Sequence, residues 1–201
     1  MHINMSLRKD GRNIFADETD RFGLSQDAYY FIGGLMKHVY SMTAITNPLV
    51  NSYKRLVSGF EAPLHITWSV TNRSPLIRIP SSFGSGTRIE LRSPDSAANP
   101  YLTIALCLAA GLDGIKNKIT PPENIQKNIF HMTEEEKEQL HIKSLPTNLY
   151  DAVCAMEKDA FIREVLGEHI SNVYIGSKKD EWNRYCRAVT EWEVDTYLDK
   201  F

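Results

Sequence analysis

The sequence predicts an α+β fold, with short strands in the first half and helices that pack around them. Residues 87–92 alternate charged and apolar side chains, which is the two-residue period of a strand. Residues 25–46 and 101–116 instead carry apolar side chains at three- and four-residue spacing, which is typical of helices. The strand-like segments fall in the first half of the chain and the last third is helical in pattern, and this segregation is typical of α+β proteins.

The first strand is predicted at the start of the chain, where residues 1–7 alternate with no cap or turn before them. Because a lone edge strand exposes unpaired backbone groups, this start indicates a truncated form of a longer protein. Ser25 is then expected to cap a long, core-facing helix that runs to about Thr46. Gly33 and Gly34 in its middle indicate either a close packing contact or a kink.

The polar chemistry concentrates in the strand region that follows this helix. Three strands are predicted there, at residues 64–70, 76–79 and 87–91, between loops rich in Asn, Ser, Pro and Gly. A second apolar helix is expected to begin at Asn99 and Pro100 and to run to about Lys116. Its Ala- and Leu-rich composition predicts that it is buried.

The last third of the chain is predicted to be helical. Thr133 is expected to cap one helix, and Thr147 or Asn148 to cap another that runs toward Asp159. Further helices are expected from residue 160 to the end. We therefore divide the chain into a mixed part and a helical part of the same domain, at residues 1–120 and 121–201.

Composition excludes several classes of protein. The chain has 201 residues, 42% of them hydrophobic, and a formal net charge of -2. This balance does not favour a nucleic-acid or membrane-surface protein, and no segment approaches the about 20 apolar residues of a membrane span. Cys107, Cys154 and Cys186 are far apart in helix-like apolar patterns, which predicts buried free thiols and a cytoplasmic location rather than disulfides or a metal cluster.

Positive charge is concentrated between residues 54 and 92. The arginines there are Arg55, Arg73, Arg78, Arg88 and Arg92, and the carboxylates are Glu61 and Glu90. Such a local excess in a weakly acidic chain indicates an anionic ligand. On the strand at 87–92, two arginines flank Glu90 on one face, which provides planar donors for phosphate or carboxylate and an oxygen ligand for a divalent cation. A solvated sheet face with paired opposite charges remains the alternative.

Four segments give the chain a resemblance to bacterial-type glutamine synthetases. They are NPLVNSYKRLVSGFEAP at 47–63, NRSPLIRIP at 72–80, RIELR at 88–92 and AGLDGIKNK at 110–118. The resemblance covers essentially the whole chain, as the C-terminal part of the catalytic domain. It implies a curved antiparallel sheet packed by helices. It also implies a ligase in which ATP phosphorylates the side-chain carboxylate of glutamate, and ammonia then displaces phosphate from γ-glutamyl phosphate to give glutamine.

The resemblance assigns two metal ligands and two substrate-binding arginines. His2 matches a histidine that binds the metal ion beside ATP, and Glu90 matches a carboxylate ligand of a second ion. The ions are Mg²⁺ or Mn²⁺, and they spread charge on the phosphoryl group. Arg55 and Arg92 match the arginines that hold glutamate, in keeping with bidentate recognition of a carboxylate.

The resemblance also assigns a nucleotide site and a mobile lid. Arg73, Arg78 and Arg88 match arginines around the nucleotide phosphates and the transferred phosphoryl group, where positive charge stabilises the transition state. Ser6 matches a position on the nucleotide side. Glu61 matches the glutamate of the flap that closes the site and accepts a proton from the ammonium-derived nucleophile. Glu61 and Arg73 are thus the expected catalytic residues.

The resemblance further implies that the remaining metal ligands and the ammonia-site aspartate lie outside these 201 residues, and that sites form between subunits of a homo-oligomer. We therefore expect the isolated chain to be inactive. Two alternatives stay open. One is a relative that ligates glutamate to a polyamine or another amine. The other is a non-catalytic assembly or regulatory fragment that acts through its helical third or the segment at 192–201.

Overall fold

The structure is a computed structural model that describes residues 1–57, 62–72 and 74–200. In these ranges the strands are β1 (Ile3–Met5), β2 (Arg8–Lys9), β3 (Arg12–Asn13), β4 (Trp68–Ser69), β5 (Ile77–Arg78) and β6 (Ile89–Leu91). The helices are α1 (Gln26–Thr46), α2 (Val50–Arg55), α3 (Pro100–Lys116), α4 (Glu134–Gln139), α5 (Leu149–Lys158), α6 (Ala160–Leu166), α7 (Glu168–Arg187) and α8 (Glu191–Tyr197). The predicted α+β class is confirmed.

The main sheet has the strand order β1-β6-β5-β4. The central strand β6 pairs antiparallel with both β1 and β5, whereas β5 pairs parallel with β4. The sheet is therefore mixed, and the prediction of a wholly antiparallel sheet is wrong at this one pairing.

The strand predicted at 64–70 is reduced to Trp68–Ser69. Its first part is extended but pairs elsewhere: the amide of Ile66 donates to the carbonyl of Lys143, and the amide of Leu145 donates to the carbonyl of Leu64, each at 2.7 Å. A short bridge joins His65 to Ser144 between these bonds. The 142–145 segment, which carries no strand pattern of its own, thus competes successfully for the backbone groups of residues 64–66.

The helices α1 and α3 pack against each other through glycines. A Cβ atom on Gly34 would overlap the carbonyl oxygen of Ala110, and one on Gly114 would overlap that of Tyr30. The two backbones are therefore in direct contact, and the close-packing explanation of the glycine pair in α1 is confirmed. Both helices begin at predicted caps, since Ser25 accepts from the amide of Ala28 and the Asn99 side chain accepts from two amides of the first turn of α3.

The helical last third has the predicted caps. Thr133 caps α4 with a reciprocal bond to Glu136, and Asn148, rather than Thr147, caps α5. The helix α5 packs on both α1 and α7. Its Leu149, Ala152, Val153 and Met156 are fully buried. In the described residues, no helix is both long and apolar enough to cross a membrane.

The three cysteines are free thiols, as predicted, but they differ in burial. Cys107 is buried in α3, Cys154 is partly buried and Cys186 is exposed. The prediction that all three are buried is therefore confirmed for Cys107, met only in part by Cys154 and wrong for Cys186. This residue lies in the last turn of α7, where the neighbouring side chains are also exposed.

Asp113 on α3 is tied to α1 by a buried histidine. His38 is only 5% exposed. Its Nε2 atom lies 2.8 Å from Asp113 Oδ2, and Lys37 Nζ lies 3.1 Å from the same oxygen. The ring of His38 also stacks on Phe161. The hydrogen bond with His38, and secondly that with Lys37, holds the pKa of Asp113 below its ordinary value. Its carboxylate form therefore stabilises the fold.

We expect Asp113→Asn to lower the free energy of unfolding by about 1 kcal/mol near neutral pH. Because the pKa of Asp113 is lower in the folded state, its stabilisation is complete above the unfolded value of about 4 and is lost as the pH falls through the folded value. The difference between wild type and variant should thus shrink as the pH falls from about 5 toward 2. Urea unfolding at several pH values measures this difference in the free energy of unfolding. Glu164→Gln, on the exposed face of α6, is the control. A difference that does not change with pH would contradict the stabilising role of the Asp113 carboxylate.

Candidate active site

Three polar residues line up across the central strands. Asn4 on β1 and Arg78 on β5 are each directly opposite Glu90 on β6. Directly opposed residues point to the same face of a sheet, so the three side chains share one face. Ile89 and Leu91 on β6 are fully buried on the other face. The alternation that the sequence predicted for this strand is confirmed.

Glu90 lies at the centre of this row and is only 5% exposed. Its Oε1 atom lies 2.9 Å from Nδ1 of His2, and its Oε2 atom lies 2.6 Å from Nε of Arg78. A carboxylate that is withdrawn from water is stable as an anion only beside such partners. Three residues predicted for the metal and nucleotide sites are therefore in direct contact.

His2 and Glu90 each carry a group that fits a divalent-metal site. An imidazole nitrogen and a carboxylate oxygen are both ligands of Mn²⁺, and the carboxylate also suits Mg²⁺. Within the described residues, no group of three or more His, Cys, Asp and Glu side chains is placed to hold a metal ion. The described part of the chain thus offers two ligands, and Mg²⁺ ordinarily completes its shell with water and substrate phosphate oxygens.

Arg88 is held beside this row by a structured loop. Its Nε donates to Asn4 Oδ1 at 3.2 Å, and its Nη1 donates to Ser82 Oγ at 2.8 Å. The loop itself is anchored by Asn13, whose Nδ2 donates to the carbonyl of Thr87 at 2.7 Å. Sequence reasoning missed Ser82 and Asn13. Asn13 lies so far from the loop in sequence that no spacing signal could have linked the two.

The two arginines predicted to bind glutamate meet at the segment that follows β6. Arg55, at the end of α2, donates from Nη2 to the carbonyl of Ser93 at 2.7 Å. Arg92, which is 8% exposed, directly precedes Ser93 and donates from Nη1 to the carbonyl of Pro75 at 3.2 Å. Backbone carbonyls therefore position both guanidinium groups.

The remaining predicted site residues are not part of these contacts. Ser6 follows β1 and is exposed, so its assignment to the nucleotide side stays a prediction. Glu61 and Arg73, the expected catalytic residues, lie outside the described residues. The structure thus brings together His2, Arg78 and Glu90, places Arg88 next to them through Asn4, and places Arg55 and Arg92 at one backbone segment.

Known proteins resemble the chain over almost its whole length. The family model "Glutamine synthetase, catalytic domain" matches residues 1–197. The glutamine synthetase of Clostridium saccharobutylicum is 52% identical over 201 residues, which cover 100% of this chain and 45% of that protein. That of Methanosarcina mazei is 55% identical over 198 residues, covering 98% of this chain and 44% of that protein. The chain therefore spans less than half the length of these curated relatives.

Two solved structures also match the chain over almost its whole length. The structure titled "Apo GmaS without ligand" matches with a TM-score of 0.85 at 40% identity, over 98% of this chain and 44% of that one. The structure titled "GmaS/ADP complex-Conformation 1" matches with a TM-score of 0.86 at 40% identity, over 98% and 45% of the two chains. The family model and the curated relatives show that the chain belongs to the glutamine synthetase family, as a part of its catalytic domain.

Proposed function

We propose that the chain is the C-terminal part of a glutamate–ammonia ligase, which makes glutamine from glutamate, ammonia and ATP through γ-glutamyl phosphate. The observation that carries the proposal is the arrangement of Glu90 between His2 and Arg78 on one sheet face, with Arg88 beside it. This face combines metal-ligand chemistry with fixed positive charge, which is what phosphoryl transfer requires.

In this proposal Arg55 and Arg92 bind the carboxylate of glutamate. A guanidinium carries several N–H donors in a planar fork. For Arg55 the bond from Nη2 to the Ser93 carbonyl occupies one of them, and it sets the direction in which the rest of the group faces. Binding at both arginines would hold glutamate with its side-chain carboxylate toward the phosphate donor.

The phosphoryl group would be stabilised by the charges of the sheet face. Arg78 and Arg88, together with Arg73, would neutralise its developing negative charge, and Ser6 would lie on the nucleotide side. His2 and Glu90 would each help to hold one of two Mg²⁺ or Mn²⁺ ions, which when bound polarise phosphate oxygens. Glu61 on the flap would accept the proton that the ammonium-derived nucleophile loses.

Assembly and location follow from the same proposal. Residues 1–120 would be the second half of the part that binds ATP and glutamate, and residues 121–201 its helical packing. We infer a homo-oligomer, and the exposed Trp192 and Leu198 on and beside α8, at 65% and 71% exposure, support a role of this end in assembly. Free thiols support a cytoplasmic location. The weakly acidic balance of the chain, with a net charge of -2, supports the inference of no nucleic-acid or membrane partner.

The test is a coupled assay of phosphate release with glutamate, ammonium, ATP and Mg²⁺. It compares the 201-residue chain with a hybrid enzyme in which this chain follows the N-terminal part of the Clostridium saccharobutylicum glutamine synthetase. We expect glutamate- and ammonium-dependent release from the hybrid only, because the described residues supply two metal ligands.

Three other outcomes would contradict parts of the proposal. Release by the hybrid with a polyamine but not with ammonium would assign the chain to the amine ligases. Release by the 201 residues alone would show that the chain needs no further ligands. A hybrid that folds and assembles but remains inactive would favour an assembly or regulatory fragment.

A further inference from the structure

The end of α1 is joined to a substrate-binding arginine through one backbone oxygen. Asn47, which is 0% exposed, donates from Nδ2 to the carbonyl of Ser93 at 2.9 Å. The same carbonyl accepts the bond from Nη2 of Arg55 at 2.7 Å. Asn47 and Arg55 therefore share a single acceptor, and the position of that acceptor determines where the guanidinium of Arg55 is held.

The orientation of the Asn47 amide is fixed by its neighbour. The hydroxyl of Thr46 donates to Asn47 Oδ1 at 2.8 Å, so the oxygen faces Thr46 and the nitrogen must face Ser93. A flipped amide would place two oxygens against each other in a site without water-exposed surface. The amide can therefore bind the Ser93 carbonyl in only one way.

Thr46 and Asn47 also hold the backbone on the far side of Ser93. The amide of Asp95 donates to the carbonyl of Thr46 at 3.0 Å. The segment at 93–95 is thus tied to the end of α1 at two points. Because Arg92 directly precedes this segment, the same two hydrogen bonds also help to fix the position of the Arg92 backbone.

Arg55 depends strongly on this acceptor. Its Nε atom is buried and has no hydrogen-bond partner among residues 1–57, 62–72 and 74–200. The bond to Ser93 is accordingly the contact that aims the guanidinium within the described structure. Displacing the carbonyl would leave this partly buried guanidinium free to rotate away from a carboxylate.

We propose that Asn47 is a positioning residue for the carboxylate-binding arginines, acting through the Ser93 carbonyl. The inference rests on the proposed function, in which Arg55 and Arg92 bind glutamate. Asn47 does not touch substrate; it keeps the fork of Arg55 in the geometry that a carboxylate needs. Its loss acts on glutamate and leaves ATP binding unchanged, since Arg78 and Arg88 are held by Glu90, Asn4 and Ser82 instead.

The first test uses Asn47→Asp, which keeps the size of the side chain and replaces the donor facing Ser93 with an oxygen. In the hybrid enzyme we expect the KM for glutamate to rise about 10- to 100-fold, the scale of a misplacement of about 1 Å, with the KM for ATP unchanged. Thr46→Val, which removes only the donor that orients the amide, should give a smaller rise in the same constant.

The matched control is Thr43→Val. Thr43 is also 0% exposed, lies one turn earlier in α1, and its hydroxyl donates only to the carbonyl of Val39 in the same helix at 2.8 Å. Its replacement should alter thermal stability without changing the KM for glutamate. An equal rise of the KM for glutamate in all three variants would mean that general weakening of α1 explains the effect, and it would overturn the proposal. An unchanged KM for glutamate in Asn47→Asp would also overturn it.

A second readout needs no activity. In the 201-residue chain, the Nε–H signal of Arg55 in a proton–nitrogen NMR spectrum is assigned by its loss in Arg55→Lys. We expect Asn47→Asp to move this signal toward that of an unstructured arginine and Thr43→Val to leave it in place. If the wild-type hybrid is inactive, the proposed function fails and this signal alone decides: an unmoved signal overturns the positioning role. If Asn47→Asp does not fold, Thr46→Val is used for both readouts.

Discussion

Glu90→Gln is expected to lower kcat/KM of the hybrid enzyme by about a hundred- to a thousandfold, the scale of losing one preorganised group that acts at a transition state. The variant keeps the size of the side chain, but it removes the negative charge that faces His2 at 2.9 Å and Arg78 at 2.6 Å. The Mg²⁺ concentration that gives half-maximal activity should rise, because a neutral amide is a weaker metal ligand than a carboxylate.

Phosphate release at a series of Mg²⁺ concentrations measures both effects. Glu164→Gln on α6, an exposed carboxylate far from the sheet in sequence, controls for the change in net charge. Thermal unfolding of both variants verifies that they are folded. Unchanged activity and Mg²⁺ dependence in Glu90→Gln would refute its assignment as a metal ligand and would leave it a structural partner of Arg78.

Gly34→Ala is expected to lower the free energy of unfolding by about 3 kcal/mol, the upper part of the usual range for overpacking. The added Cβ would overlap the Ala110 carbonyl and approach the backbone of Gly114, and neither is a flexible side chain that can move aside. The helices α1 and α3 would have to separate. That separation would open voids among side chains such as Phe31 and Leu106, which are at most 1% exposed.

Gly176→Ala in α7 is the matched control, because a Cβ atom there meets nothing within 4 Å. Alanine is the better helix former by about 1 kcal/mol, so this variant should be more stable than wild type. Urea unfolding of the two variants should therefore show changes of opposite sign in the free energy of unfolding. Destabilisation by both would show that glycine is required for a reason other than the contact of α1 with α3.

Local signals predicted the helices well. Ser25, Asn99 and Asn148 each have side chains suited to the first turn that follows them, and capping acts within a few residues of sequence. The strands were harder to predict. Residues 64–66 are extended, but their pairing with the 142–145 segment depends on a tertiary contact that no local pattern encodes.

The candidate site likewise has features that the local sequence predicted and features that depend on tertiary contacts. Alternation along β6 was enough to place Glu90 opposite the core face, because side-chain direction in a strand has a period of two. The contact of Glu90 with Arg78 depends on the register of β5 against β6, which their sequences do not specify. The shared acceptor of Asn47 and Arg55 is a backbone oxygen, so no side-chain motif could have indicated it.

The register of β1, β6 and β5 limits how this region can vary in length. Asn4, Glu90 and Arg78 face one side only because each strand is in phase with its neighbours. Inserting or deleting one residue in any of the three would turn its polar side chain into the core and expose an isoleucine or leucine in its place. Length changes should therefore be confined to the connecting loops, and within these strands a functional variant can arise by substitution alone.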